Sequence, residues 1–381
     1  MKVLLFANTD WYLYNFRRSF ALSLRDAGYE VLLVSPDGPY GEKLRELGFH
    51  WVPAPMDRRS LNPWRELLFV NWLRRLLKQE SVDLVHGFTI KSAVYGALAA
   101  RFAGNRARIS AVTGMGYVFT SNDLKARVLR PLVRVWLRGA LTGNRARLIL
   151  QNPDDVAFFE QERLCSPAQM RLILSSGVDC NRFSPVERKR VQGEPLRVLL
   201  PARLLRDKGI GEFVEASRSL KASGRKIDFL LAGDPDEGNP AAVPEELLKA
   251  WQGEGLIQRL GHVHDMPALY RSVDVVVLPS YREGVPKSLI EAGACGVPLI
   301  TTDVPGCREV VVNGQNGFLI PVKDAHALAN AIAELDDSEE RRHKMGIKAR
   351  QIAFEKFDEK IVLRQTLAVY DELLEGNCRT E

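Results

Sequence analysis

Short apolar runs rich in Val, Leu and Ile alternate with longer, helix-compatible stretches along nearly the whole chain. Strands that alternate with helices predict βαβ units and mainly parallel sheets. The alternation runs in two series. The first series has seven predicted strands, at residues 2–8, 29–36, 50–55, 82–88, 107–114, 146–152 and 170–176. The second has five, at residues 196–204, 226–234, 256–263, 273–280 and 297–302.

The alternation stops at residues 181–195, where the segment NRFSPVERKRVQGEP is polar, charged and contains two prolines. Such a segment predicts a linker. We therefore expect an α/β protein with two Rossmann-like, doubly wound domains, 1–180 and 196–357, that face each other across a cleft. A last helix, 358–375, is expected to pack back on the first domain. Open α/β sheets bind ligands at the carboxyl ends of their strands, where candidate site residues should lie.

Composition narrows the class of protein. The chain has 46% hydrophobic and 26% charged residues, which is ordinary for a globular protein and excludes a disordered one. Its five cysteines are scattered without a CxxC pair, which argues against a disulfide framework and a structural zinc site. No stretch approaches the ~18 apolar residues that span a bilayer. A cytoplasmic protein without a transmembrane helix is expected.

Charge is distributed unevenly along the chain. Residues 1–180 contain 25 basic and 16 acidic side chains, a net charge of +9, whereas the remainder contains 28 basic and 31 acidic side chains, a net charge of −3. This asymmetry suggests that the first half meets an anionic partner such as phosphate, nucleic acid or a membrane surface. No nucleic-acid recognition motif accompanies the charge, so nucleic acid is not expected as a partner.

A predicted helix at 124–142 concentrates part of this charge. Arg130, Arg134 and Arg138 recur at i+4 spacing and can therefore line one helix face. Basic amphipathic helices bind anionic membrane surfaces. The alternative is a helix that packs on the sheet and leaves a solvated basic face. The first interpretation predicts peripheral association with the inner face of the cytoplasmic membrane.

The motif with the most chemical information is PSYREGVPKSLIEAGACGVP, which includes the end of a predicted strand. Gly284 permits tight backbone geometry, and Pro286 suits the first turn of a helix, whose free N–H groups can bind diphosphate. Glu283 precedes that helix and Glu291 lies about two turns into it, so both carboxylates can face one elongated ligand. A carboxylate can accept hydrogen bonds from two adjacent ribose hydroxyls.

A second motif, PARLLRDKG, follows the predicted strand LRVLL. Arg203 and Lys208 would lie just past the end of that strand. Arg offers a planar fork to phosphate oxygens and Lys a point charge. Both residues could hold a diphosphate and stabilise it as a leaving group. The alternative is a solvated basic loop, since charged residues are usually exposed.

The order and spacing of these motifs resemble the retaining glycosyltransferases of family 4. The resemblance rests on Glu283-x₇-Glu291, on Arg203 and Lys208 upstream, on SSGVDCNRFSP and on PGCREVVVNGQNGFLIPV. It implies a GT-B fold and an activated sugar donor, a nucleoside diphosphate sugar. By position, Glu283 would contact the transferred sugar, Glu291 the ribose, and Arg203 and Lys208 the diphosphate. The other donor-binding positions that it implies are Val263, which would border the base, and Gly284, Val285, Pro286, Lys287, Ser288 and Leu289.

The first half resembles the family members that build capsule, O-antigen and related glycans on polyprenyl-diphosphate lipids, through HGFTIKSAVYGALAARFAG and AVTGMGYVFTS. A lipid-linked saccharide is therefore the expected acceptor. Two departures weaken the correspondence on this side. NTDWYLYNFRRS replaces a Gly-Gly loop after the first strand, and no histidine follows the strand ISAVTG. The candidate acceptor-side residues are His86, Lys91, Thr113, Gly114, Asn15 and Arg17, with structural packing as the alternative for His86.

The resemblance also implies a reaction class. Retention would follow from front-face transfer, in which the acceptor hydroxyl attacks from the side of the leaving group. The protein then contributes positioning and charge stabilisation. Two alternatives stay open: a GT-B epimerase that acts on the nucleotide sugar alone, and a non-catalytic nucleotide-sugar-binding protein. Neither the transferred sugar nor the linkage follows from these residues.

Two sequence patterns resemble metal-binding motifs but do not predict a metal site. Asp234-Pro-Asp236 has the DxD form, but it lies in a polar loop that reads as an ordinary turn. His262-x-His264 lacks the further ligands of a zinc site. Neither a metal nor any other cofactor is expected.

Overall fold

The computed structural model describes residues 1–374 except 58–59, 61, 105, 113–123, 187–192 and 237. The chain divides into two compact units. The first unit is Met1–Ser176 together with Val362–Glu381, and the second is Gly177–Ile361. Each unit is built on one wholly parallel sheet, so the predicted α/β class with two Rossmann-like domains is confirmed.

The first sheet has seven strands in the order β3-β2-β1-β4-β5-β6-β7. Its strands are β1 (Lys2–Phe6), β2 (Glu30–Ser35), β3 (His50–Pro53), β4 (Leu84–Phe88), β5 (Ala107–Val112), β6 (Ala146–Leu150) and β7 (Met170–Leu172). The strand order reverses between β1 and β4, which pair directly at Val3 and Leu84. Ligands of doubly wound sheets bind outside the carboxyl ends of the strands at such a reversal.

Helices cover both faces of this sheet. They are α1 (Asp10–Tyr12), α2 (Arg18–Asp26), α3 (Gly41–Glu46), α4 (Pro63–Gln79), α5 (Ile90–Phe102), α6 (Leu124–Leu141) and α7 (Pro153–Gln161), with a π-helix at Leu13–Arg17 between α1 and α2. α4, α5 and α6 bury Leu73, Ala97 and Leu137 in one core. α2 and α3 bury Phe20 and Leu44 on the opposite face.

The second sheet has six strands in the order β10-β9-β8-β11-β12-β13. They are β8 (Leu196–Pro201), β9 (Ile227–Ala232), β10 (Gln258–Gly261), β11 (Val275–Leu278), β12 (Leu299–Thr302) and β13 (Gly317–Ile320). The helices are α8 (Ile210–Ala222), α9 (Glu245–Gly253), α10 (Met266–Arg271), α11 (Lys287–Ala294), α12 (Cys307–Val310), α13 (Ala325–Asp337) and α14 (Glu339–Phe357). Here the order reverses between β8 and β11.

The last helix, α15 (Glu359–Leu374), belongs to the first unit from Val362 onward. Val369 and Leu373 join the core that α2 and α3 cover. Glu372 pairs with Arg147 at 3.0 Å and with Arg171 at 2.6 Å. Within the described ranges, no helix is both long and apolar enough to cross a membrane.

Candidate active site

The second unit brings the predicted basic and acidic residues to one edge of its sheet. Arg203 and Lys208 lie in the segment that follows β8, and Glu283 lies in the segment that follows β11. β8 and β11 are neighbours at the reversal of strand order. Because both strands are parallel, their carboxyl ends meet at the same edge, where ligands of such sheets bind.

Lys208 and Glu283 form an ion pair at the centre of this edge. Lys208 Nζ lies 2.5 Å from Glu283 Oε1, and the Ser280 hydroxyl donates to the same oxygen at 2.7 Å. The two charged side chains are only 17% and 13% exposed. Partial burial strengthens the attraction because few water molecules screen it. The pair therefore holds one cation and one carboxylate in fixed positions beside each other.

Backbone contacts fix the segments that carry this pair. Tyr281 N donates to Asp207 O at 2.9 Å, which ties the segment after β11 to the short 3₁₀ turn Arg206–Lys208. Gly209 ends that turn with φ +74°, and a Cβ there would lie 2.2 Å from Pro279 O. A glycine is required at this position for both reasons.

The Tyr281 side chain adds a third connection. Its hydroxyl donates to Glu212 Oε1 on α8 at 2.7 Å. Burial and this bond raise the pKa of Tyr281, so the side chain stays a phenol at neutral pH. Tyr281 and Ser280 were not predicted as site residues, although both lie within three residues of Glu283. Their positions between β11 and Glu283 are the only sequence signal for their role.

Gly306 holds the other side of the Glu283 segment. Its φ is +79°, and a Cβ built there would lie 1.6 Å from Gly284 O. The turn before α12 thus packs directly on the backbone next to Glu283. A side chain at Gly306 would push the two segments apart.

α11 begins at this edge, directly after Pro286. No side chain caps its first turn by a hydrogen bond. Val285, Lys287 and Ser288 are partly exposed, whereas Leu289 is fully buried. The Leu289 side chain is therefore not available to a ligand. An uncapped helix N-terminus with exposed early residues is suited to bind an anion.

Glu291 lies farther along α11 and is partly buried. The hydroxyl of Tyr270, a fully buried residue of α10, donates to Glu291 Oε2 at 3.3 Å. Burial raises the pKa of Glu291, while Lys287, this hydrogen bond and Arg182 oppose the rise. The Glu291 carboxyl group lies in the same short helix as this N-terminus. Its ionisation costs more free energy than that of an exposed glutamate.

Arg203 does not join the Lys208–Glu283 pair. Its guanidinium is 64% exposed and lies 2.8 Å from Asp236 Oδ2. His262 Nδ1 lies 2.6 Å from Asp234 Oδ2, and Val263 next to it is partly buried. The two acidic residues of the DxD-like loop thus pair with basic partners. The described residues include no cluster of three or more His, Cys, Asp and Glu that could hold a metal ion.

In the first unit, Arg17 lies at the end of the π-helix and is only 6% exposed. Its guanidinium lies 4.2 Å from the Phe88 ring centroid and donates from Nη2 to Tyr12 Oη at 3.1 Å. Its Nε has no hydrogen-bond partner in the described part of the chain. The described residues place no carboxylate on this cation, and a buried cation in that position is costly and typical of functional sites. Asn15, in the same π-helix, is exposed and donates to Trp11 O.

His86 lies on β4 and is fully buried among aromatic rings. Its Nδ1 is 2.9 Å from the hydroxyl of Tyr370 on α15. Burial, together with the charge of Arg17, lowers the pKa of His86 well below its usual range, so the ring is neutral at pH 7. This contact with Tyr370 favours the packing interpretation of His86 over direct substrate contact.

The Lys91 ammonium group donates to three oxygen atoms of the first unit. Its Nζ lies 3.0 Å from Glu66 Oε1 and also donates to the backbone oxygens of Asp57 and Ser60. It therefore ties the first turn of α5 to the first turn of α4. Thr113 and Gly114 lie outside the described residues.

The basic face predicted for α6 is partly neutralised by its neighbours. Arg134 pairs with Glu162, and Arg138 donates to the backbone oxygens of Glu162 and Arg163. Leu137 is buried in the core, whereas Val135 is 64% exposed. This helix packs on the sheet, as the alternative interpretation predicted, and its contact with a membrane stays a prediction.

Comparison with known proteins identifies the family of both units. The model of the family described as glycosyl transferases group 1 matches residues 185–352, and that described as glycosyl transferase 4-like matches residues 2–151. The chain is similar to the N,N'-diacetylbacillosaminyl-diphospho-undecaprenol alpha-1,3-N-acetylgalactosaminyltransferase of Campylobacter jejuni. The two are 30% identical over 379 residues, which cover 96% of each chain.

Two further proteins are similar to this chain, one in sequence and one in fold. The UDP-Gal:alpha-D-GlcNAc-diphosphoundecaprenol alpha-1,3-galactosyltransferase of Escherichia coli is 28% identical over 293 residues, which cover 73% of each chain. The crystal structure of Anabaena Alr3699/HepE in complex with UDP-glucose has a TM-score of 0.77 and 20% identity, and the match covers 98% of this chain and 100% of that one. That likeness shows a shared fold. The chain belongs to the glycosyltransferases, with a 4-like first half and a group 1 second half.

Proposed function

We propose that the protein is a retaining family 4 glycosyltransferase that transfers a hexose or N-acetylhexosamine from a UDP-sugar to a polyprenyl-diphosphate-linked saccharide. The product would enter a surface polysaccharide such as O-antigen or capsule. The observation that carries the proposal is the Lys208–Glu283 pair at the reversal of strand order between β8 and β11, beside the start of α11. It places a cation, a carboxylate and a helix N-terminus where one nucleotide sugar could contact all three.

The donor would be held by charge and by hydrogen bonds. Lys208 and the N-terminus of α11 would take the diphosphate and stabilise it as it leaves. Glu283 would accept hydrogen bonds from the transferred sugar, and Glu291 from the ribose. Arg203 would reach the diphosphate by leaving Asp236, since the Arg203 side chain is 64% exposed and water can replace its contact with that carboxylate. No bound metal is required in this scheme, since these groups already supply positive charge.

The relatives' names support the acceptor and the stereochemistry. Two of them are described as alpha-1,3 transferases that act on sugars linked to diphospho-undecaprenol, and one of these names UDP-Gal as its donor. UDP-galactose is itself α-linked, so an α product corresponds to retention. The same chemistry would apply here if the acceptor hydroxyl attacked from the side of the leaving diphosphate. The protein's part would then be positioning and electrostatic stabilisation.

The direct test is a donor panel. Purified protein is incubated with UDP-, GDP-, ADP- and TDP-sugars, with and without lipid-linked saccharide, in the presence of a metal chelator. We expect UDP to be released from a UDP-sugar only when the lipid-linked acceptor is present. Conversion of the nucleotide sugar to its epimer without acceptor and without net UDP release would indicate an epimerase, and binding without any turnover would indicate a non-catalytic protein.

We predict that Arg17→Met weakens use of the acceptor. The change removes a buried charge but keeps most of the side-chain volume, so stability should be unchanged or higher. We expect the KM for the lipid-linked acceptor to rise about tenfold, as expected when one charge-assisted hydrogen bond is lost. Affinity for UDP should not change. Arg18→Met is the matched control, because Arg18 stacks on Tyr14 and should affect neither constant.

Donor affinity should also depend on pH through Glu291. Its pKa is raised in the folded protein, so the contribution of this carboxyl group to stability is fully present below the ordinary value of 4.5 and is lost as the pH rises through the raised pKa. Donor binding requires the ionised form. We therefore expect the Kd for UDP to increase as the pH falls through the raised pKa, before an exposed glutamate would protonate. Calorimetric titration of wild type and Glu291→Gln checks this, since the variant should bind weakly with a flatter profile.

A further inference from the structure

Three large apolar side chains project into solvent at the start of α4. Trp64 is 76% exposed, Leu67 is 51% exposed and Leu68 is 70% exposed. They lie at positions i, i+3 and i+4, so they share one face of the helix. Exposed apolar side chains are ordinary when they are scattered, whereas a contiguous group of this kind marks an interaction surface.

The rest of α4 shows that this exposure is a property of one face. Phe69, Val70 and Leu73 on the opposite face are buried in the core. Asn62 caps the helix by accepting from Trp64 N at 3.0 Å, so the first turn is well formed. The chain therefore places Trp64 outward by regular helix geometry. Neither folding nor the proposed chemistry explains why that position is a tryptophan.

The exposed face becomes basic farther along the helix. Arg75 and Lys78 follow Trp64 by 11 and 14 residues, which returns them to the same side, and both are exposed. In sequence, residues 57–79 contain six basic and two acidic side chains, a net charge of +4. One of the acidic ones, Glu66, is already paired with Lys91. The helix thus presents an apolar beginning and a basic continuation on one surface.

This surface begins at the carboxyl edge of the sheet in the first unit. α4 connects β3 to β4, so it begins at the carboxyl edge of the parallel sheet. The Lys91–Glu66 pair joins its first turn to the first turn of α5 at that edge. A cavity of about 390 Å³ adjoins the exposed face and is lined in part by Met56, Phe69 and Trp72.

We propose that the Trp64–Leu67–Leu68 face enters the surface of an anionic lipid bilayer, with Arg75 and Lys78 on the phospholipid headgroups. Tryptophan and leucine on one side with basic residues nearby is the composition of interfacial helices. A second copy of the chain fits less well. The three side chains present on the order of 400 Å², about half of the roughly 800 Å² per partner that a stable dimer buries.

The proposal rests on the proposed function only for the choice of lipid over another apolar partner. It differs from the membrane contact predicted for the basic helix 124–142, because it assigns insertion to α4. α4 and α6 both pack against α5 on the same face of the sheet, so the two contacts are compatible. Because binding to lipid is measured without sugar donor or acceptor, its failure is distinguishable from failure of the transferase proposal.

The test is sedimentation of the full chain with vesicles of equal parts phosphatidylglycerol and phosphatidylcholine. We expect wild type to bind, and Trp64→Ser with Leu68→Ser to lower the partition coefficient at least about tenfold, because two apolar side chains no longer leave water. Arg75→Ser with Lys78→Ser should reduce the preference over pure phosphatidylcholine vesicles, and any preference that is left would come from other basic surfaces such as helix 124–142. The control is Ile347→Ser with Phe354→Ser, an exposed apolar pair on α14, which should bind as wild type does.

A second measurement does not depend on how much of each variant protein is obtained. Phospholipids with brominated acyl chains should quench part of the tryptophan fluorescence, and Trp64→Phe should abolish that part while binding persists. Equal binding of wild type and the Trp64/Leu68 variant would overturn the proposal. So would a concentration-dependent dimer in light scattering that only this variant disrupts, because the face would then be covered by a second copy.

Discussion

Replacing Lys208 by alanine should lower the rate of sugar transfer on the order of 10³-fold, as expected when a group that stabilises leaving-group charge is removed. Binding of UDP should weaken about 10- to 100-fold, because one charge-assisted contact to the diphosphate is lost. Glu283 would keep its hydrogen bond from Ser280 but lose its cation partner. Rates with saturating donor, together with calorimetric UDP affinity, separate the two effects.

The control for this experiment is Lys249→Ala, which removes an exposed lysine on α9 of the same unit. It should leave both constants unchanged. A decrease in Tm is expected for Lys208→Ala, because the largely buried Glu283 carboxylate loses its cation partner. Unchanged turnover by Lys208→Ala would contradict its assignment to the diphosphate. Loss of the folded state would instead be seen as a large fall in Tm.

The substitution Gly306→Ala should be the most damaging single-methyl change in the second unit. The new Cβ would lie 1.6 Å from Gly284 O, and φ at this position is +79°. Backbone must move, which costs about 3 kcal/mol or more and lowers Tm by roughly 6–12 °C. The displaced segment carries Glu283, so transfer should fall about 10²-fold even where the protein is folded.

The substitution Gly314→Ala measures the effect of a positive φ in the absence of a steric clash. Gly314 has nearly the same φ, +76°, but a Cβ there meets nothing within 4 Å. It should cost only about 1 kcal/mol and should not alter transfer. If the two variants lost equal stability and equal activity, the contact between Gly306 and Gly284 would not be what positions Glu283.

Much of the fold follows from local sequence pattern. β1 and β11 are short runs of Val and Leu buried on both faces, and such runs predict parallel strands under helices. β13 (Gly317–Ile320) was missed because it has four residues, begins with glycine and follows a turn-rich segment. α10 and α12 are too short to show a helical period, so periodicity does not predict them.

The candidate site was less predictable than the fold. The placement of Lys208 and Glu283 after strands could be predicted, because both follow apolar runs. Their contact with each other could not, since it depends on β8 and β11 being neighbours although two strands lie between them in sequence. The pairing of Arg203 with Asp236 likewise depends on tertiary structure. Burial of Arg17 and His86 follows from aromatic packing that no short motif encodes.

The return of the chain to the first unit at Val362 has a consequence for the design of hybrid enzymes. The second unit is an insertion between Ser176 and Val362, not a carboxyl-terminal module. A chimaera made by exchanging everything after residue 176 would also replace Val369, Tyr370 and Leu373, which complete the core beneath α2. Recombination that replaces the second unit while retaining the whole first unit therefore needs two crossover points, and gene fusions with one junction should yield aggregated protein.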